Sequence, residues 1–191
     1  MNPIPAQAQE VLDFWFGTKG AVRKEWFRKD AEFDAQIASR FGPLIEAAVA
    51  GGLTEWASEP ASALAHIVLL DQFTRNTRRN SPQAFAGDAL ALATAKAMVA
   101  AGQDQALPPV QRGFVYLPFA HSENLADQDE SVRLHAALVA CAPDQHSLLD
   151  YANRHRAIVA RFGRFPHRNT ALGRESTPEE VEFLKQPGSG F

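Results

Sequence analysis

Throughout this chain apolar residues recur three and four positions apart, the spacing that lines one face of an α-helix, and no stretch offers a convincing partner strand. Residues 5–16 open at Pro5 and close at Gly17, with Val11, Leu12, Trp15 and Phe16 on one stripe. Residues 30–50 carry Phe33, Ile37, Phe41, Leu44, Ile45, Ala48 and Val49 in clean helical phase and end at Gly51-Gly52. Pro60 opens a third helix, "PASALAHIVLLDQFTRNTRR". Ser81-Pro82 reads as an N-cap with proline at the first helical position, starting an alanine-rich helix that runs to Gly102. "PPVQRGFVYLPF" is read as helix, Ser122 as the cap of a helix reaching Ala140, and residues 146–161 as another helix with Leu148, Ala152, His155 and Val159 on one face. "TPEE" is a capping box: Thr177 caps, Pro178 takes the first turn and Glu180 reaches back. The tail "PGSGF" is expected to be loose, with Phe191 the residue able to dock.

With short loops and no evident linker, 1–191 reads as a single all-α domain of stacked antiparallel helix pairs. At 191 residues, 46% of them hydrophobic, the chain can bury a substantial core. Trp15, Trp26 and Trp56 are read as parts of its N-terminal end, and His66 and His135 as ordinary, partly buried helix residues. The net charge of −3 argues against nucleic acid as a partner. Neither a signal peptide nor an uninterrupted apolar run of membrane-spanning length is evident, so no membrane partner is expected and the expected location is the cytoplasm. Cys141 lies in the apolar run "ALVACAP" and is read as a buried structural thiol.

Three segments hold polar residues that plain helix packing does not require. In "LLDQFTRNTRRN", helical spacing puts Gln72, Arg75, Asn76 and Arg79 on one face, and Asp71 lies one turn before Arg75. A solvated face with a surface pair worth about 0.3–0.5 kcal/mol is the plain alternative. In "YLPFAHSENLADQ", Ser122 and Glu123 suit a helix start, but His121 is left without a local role. "RFGRFPHRNTALGR" gathers four arginines and a histidine in an acidic protein. A helix end at Gly163 and Pro166 accounts for Arg161 and Arg164, but not for His167, Arg168 or Arg174. Clustered cations repel, so they need a partner: an acidic side chain of this protein, such as Asp71 or Glu123, or an external anion.

Taken together, "VLDFWFG" at 11–17, "LLDQFTRNTRR" at 69–79, "LPFAHSENLADQ" at 117–128, "RFGRFPHRNTALGRESTPEE" at 161–180 and the tail "FLKQPGSGF" resemble the bacterial family called Domain of Unknown Function 924. That resemblance implies a tetratricopeptide-like helical fold and implies no activity, so no catalytic residue is carried over. Thr74 departs from the family pattern, which has proline there; its expected effect is a straighter helix.

For function, the residues favour a pocket for a small anionic molecule, phosphorylated or carboxylated, held by Asp71, Gln72, Arg75, Asn76, Ser122, Arg164, Arg168, Asn169 and Arg174 with His155 beside them. His121, Glu123 and His167 are the candidates for proton transfer, Glu123 orienting a histidine, in a hydrolase- or transferase-like reaction. The alternatives are a helical module that binds an acidic peptide and a purely structural ion-pair network. The chain lacks G-x-x-x-x-G-K, G-x-G-x-x-G, G-x-S-x-G, H-x-x-x-H and H-E-x-x-H, so no cofactor is assigned and no metal site is expected.

Overall fold

A computed structural model describes residues 3–17 and 23–190. Among them the regular structure is helical, without a strand. The longer helices are α1 (Ala6–Phe16), α2 (Ala31–Val49), α3 (Pro60–Ile67), α5 (Asp88–Ala100), α6 (Pro109–His121), α7 (Leu125–Cys141), α8 (His146–Phe162) and α9 (Pro178–Leu184). α3 continues through a π-helical stretch, Val68–Phe73, into the single turn α4 (Thr74–Thr77).

This continuous segment is the axis of the fold. Ser62 to Asp71 are buried without a break, as expected of a helix that is apolar all round. α1, α5 and α6 pack against α3, and α2 packs against the π stretch. Consecutive helices α6, α7 and α8 also pair through short connections. The main core is richly aromatic: the Trp15 ring lies 6.0 Å from Trp26 and 5.5 Å from Phe73, and Phe14 stacks on Phe33 at 5.1 Å. A smaller apolar cluster, Ile158, Val159 and Phe165 backed by Phe162 and Phe183, ties the C-terminal loop to α8 and α9.

Several sequence readings change. Asn124, not Ser122, caps α7: its Oδ1 accepts the Ala126 N–H at 2.8 Å. Ser122 instead donates to Asp127 at 2.7 Å. Ser81 and Pro82 open a 3-10 turn, Pro82–Phe85, with no capping bond from the serine side chain, and α5 starts only at Asp88. Cys141 is exposed, because it sits at the end of α7 rather than on its inner face. Thr74 does not accompany a straight α-helix: its hydroxyl donates to the Leu70 carbonyl at 2.7 Å, beside a π turn whose extra residue resets the helical phase. The tail is partly tied down, with Ser189 buried and bonded to the Leu184 carbonyl; Phe191 lies outside the described residues. The capping box at Thr177 and the left-handed Gly163 after α8 are as the sequence predicts. No helix among the described residues is long and apolar enough to cross a membrane.

The π stretch is met by the chain entering α5. A Cβ on Gly87 would stand 2.2 Å from the Leu70 carbonyl oxygen, which is backbone and cannot swing aside. Gly87→Ala is therefore expected to cost at least the roughly 1–3 kcal/mol of an overpacked core. At roughly 2–4 °C per kcal/mol for this size, a lowered melting temperature checks it. Gly42, inside α2 with open space at its Cβ, is the contrast. Gly42→Ala should raise stability by about 0.5–1 kcal/mol.

Candidate functional site

The π stretch delivers a carboxylate to the interior. Asp71 is fully buried, a costly position unless every lone pair is answered. Its Oδ1 lies 2.7 Å from His121 Nδ1 and 3.2 Å from Arg75 Nη1, and Gln72 donates to its Oδ2 at 2.6 Å. Burial by itself would raise the Asp71 carboxyl, but Arg75 and His121 hold it well below its ordinary value. An ionised Asp71 fixes the His121 tautomer: Nδ1 carries the hydrogen and Nε2 keeps its lone pair. Burial lowers the proton affinity of His121, and Arg75 and Arg168 oppose a further charge, so the pair is a carboxylate with a neutral imidazole.

Arg75 continues the network. It pairs with Asp88 at 2.9 Å, in the first turn of α5. Asp88 also receives Arg168 Nη1, at 3.3 Å. Arg168, brought in by the Pro166–Arg168 turn, has a side chain only 8% exposed. Its guanidinium carbon stands 4.7 Å from the Phe85 ring centroid and 4.6 Å from that of Phe165, one cation–π contact with each ring. Its Nε has no hydrogen-bond partner among the described residues. Burial, then the nearby Arg75, pushes this arginine down to about 10.

Two histidines stand beside it. His155 of α8 lies 5.9 Å from His121, ring to ring, and edge-on to Phe165 at 5.5 Å; its Nδ1 sits 2.8 Å from the Tyr151 carbonyl. His167 lies 5.6 Å from Phe165. Burial is the main cause that pushes His155 down to about 3 and His167 to about 4, so both are neutral near pH 7.

The 69–79, 121–123 and 161–174 segments thus meet, but not every candidate faces the same place. Arg164 turns away, donating to both oxygens of Glu180 at 2.6 and 2.7 Å. Arg174 donates to both oxygens of Glu123 at 2.6 and 2.9 Å, and Glu123 accepts the Phe165 N–H at 2.8 Å. Glu123 therefore clamps the C-terminal loop, and it is Asp71 that orients the histidine. Asn169 is fully buried and bonds Ser176, Glu180 and Arg174, a loop-internal role. Asn76, with Arg79, reaches Asp34 on α2. Ser122 is committed to Asp127, which also pairs with Lys96 at 2.6 Å.

Sequence reasoning missed Asp88, Phe85 and Phe165. An acidic residue in a helix's first turn already satisfies the macrodipole, so nothing in the sequence marked Asp88 as a partner for two distant arginines. Among the described residues no group of three or more His, Cys, Asp or Glu side chains could hold a metal ion. A shallow depression lined by Ala38, Gly42, Ile45, Glu46, Thr77 and Arg78 shares no residue with the cluster.

Residues 11–188 match the family model described as bacterial protein of unknown function (DUF924). The chain is similar to a solved structure of a protein of unknown function from Agrobacterium tumefaciens, with a TM-score of 0.85 and 42% identity over 94% of this chain and 97% of that one. The comparison with curated proteins returned no match.

The buried histidines set a pH dependence. In the unfolded chain His155 and His167 take protons around 6.5, whereas in the folded protein they resist until about 3 and about 4. The unfolded state therefore binds more protons as pH falls below about 6.5, and stability is lost through that window down to the folded values. At pH 5 the loss is expected to reach at most about 2 kcal/mol per histidine. Calorimetric melts across pH at constant ionic strength check the slope, which His155→Gln should make shallower.

Proposed function

Because the chain belongs to the bacterial DUF924 family, of unknown function, we propose its role from the cluster itself: Arg168, Arg75 and the neighbouring histidines bind a small oxyanion, a carboxylate or phosphate group. The observation that carries this reading is Arg168, a buried cation with five N–H donors whose one ion pair among the described residues, at 3.3 Å, is to a carboxylate shared with Arg75. Stacking against Phe85 and Phe165 leaves the edge of the guanidinium for in-plane partners, the approach that bidentate oxyanions use. Near-complete burial favours a single small anion over an acidic peptide laid along a groove. Arg164 and Arg174, each already answered by a carboxylate, are ties of the loop to the body, which is the part of the arginine cluster that a structural network explains. The Asp71–His121 pair adds a group able to move a proton, which suits hydrolase or transferase chemistry on the bound anion. The exposed thiol of Cys141 suits a reducing compartment, in keeping with a cytoplasmic protein.

The test is thermal unfolding with sulfate, phosphate, citrate and sugar phosphates at constant ionic strength. An anion at about 100 times its Kd should add roughly 2.7 kcal/mol. At roughly 2–4 °C per kcal/mol, that is a shift of about 5–10 °C. Arg168→Gln should remove the response. Flat melts with every anion would overturn the reading.

A further inference from the structure

The charges of the cluster are already matched. Among the described residues three arginines, Arg75, Arg168 and Arg174, face three carboxylates, Asp71, Asp88 and Glu123, and the histidines among them are neutral. An oxyanion that enters such a site brings negative charge with no counter-charge left over, and in a buried setting that is unfavourable. Electroneutrality then has to come from a proton, and an incoming negative charge raises the proton affinity of the histidine it approaches.

The three histidines are not equivalent. His121 Nδ1 meets a carboxylate, Asp71, at 2.7 Å. An imidazolium there would be paired from behind by a fixed, fully buried anion that Gln72 and Arg75 hold in place. At His155 the Nδ1 faces the Tyr151 carbonyl at 2.8 Å, a dipole in place of a full charge. The ring chain His121–His155–Phe165, at 5.9 and 5.5 Å, ends on the ring that Arg168 stacks against. The charged and titratable groups around His121 come from every element packed on it. Asp71 and Arg75 belong to the central helix, and His135 to α7. His155 lies on α8, and His167 and Arg168 on the C-terminal loop. Asp88 acts through the two arginines it joins.

We propose that an oxyanion seated on Arg168 is bound together with one proton, which His121 accepts at Nε2, with Asp71 as the positioning residue. The inference rests on the anion-binding reading above. The balance is simple: an N–H bond forms at Nε2, the proton comes from solvent or from an acidic O–H of the ligand itself, and the imidazolium so formed lies between Asp71 and the bound anion. A ligand that brings its own proton, such as a hydrogen phosphate ester or a carboxylic acid, would deliver it to His121. That makes the pair the acid–base element of the site.

Sulfate is the probe that isolates the protein's proton, because it stays doubly charged across the working pH range. Its Kd is measured by NMR titration of the whole chain at constant ionic strength, from about pH 5 to 8. In the wild type the Kd should rise with pH, by up to about tenfold per unit for one linked proton. In histidine-labelled protein, saturating sulfate should convert His121 from a single Nδ1–H tautomer to the doubly protonated ring. His121→Gln should abolish the slope. Asp71→Asn should flatten it, and if that variant does not fold, the labelled wild-type ring reports the same protonation directly. Oxalate in place of sulfate separates a planar carboxylate from a tetrahedral oxyanion as the preferred ligand, and for either ion the pH slope is the result expected. A Kd independent of pH, or a wild-type slope retained in His121→Gln, overturns proton uptake at His121 while leaving anion binding intact. Failure of both sulfate and oxalate to bind overturns the anion site and this proposal with it.

Discussion

Burial of the Asp71 carboxylate is the constraint around which the middle of the molecule is arranged. A charge inside the central helix is tolerable only when partners reach it from several directions, and here Arg75 and Gln72 come from its own helix and His121 from the end of α6. That requirement connects features that look unrelated in isolation. The π turn presents Asp71 to the interior. The Thr74 hydroxyl bonds the Leu70 carbonyl beside it. Gly87 lets the next segment approach that same carbonyl, and one residue later Asp88 enters to meet Arg75.

The arginine-rich loop divides into two physical classes. Arg164 and Arg174 make short bidentate pairs with Glu180 and Glu123, the geometry in which a guanidinium fork and a carboxylate satisfy each other. Those pairs hold the 163–180 loop against α9 and the α6–α7 connection. Among the described residues Arg168 has no such bidentate partner: it stacks on Phe85 and Phe165 and makes one long contact with Asp88. The difference between fastening and availability is therefore a difference in hydrogen-bond satisfaction, not in residue type.

Neutral histidines are the complement of that arrangement. Burial above all, and with it the positive charge of Arg168 nearby, keeps His155 and His167 unprotonated. Such a cluster carries donors and lone pairs together, with a carboxylate-backed imidazole beside it.

From sequence alone the helical class was legible, because apolar spacing is local: α1, α2 and α8 lie where their stripes place them, and the Thr177 capping box needs only four consecutive residues. The segments of the cluster were legible too, as polar residues without a local role. Their pairing was not. Asp71 meets His121 across fifty positions and Asp88 meets Arg168 across eighty, and no spacing rule covers such distances. The sequence reading gave the orienting of a histidine to Glu123, where the structure has Asp71, and it held Arg164 and Arg168 alike as partners for an anion. Packing decided which carboxylate each arginine meets, since an arginine takes whichever one the backbone brings within about 3 Å. The sequence determined which charges the chain carries; the tertiary structure determined which of them are spent on one another.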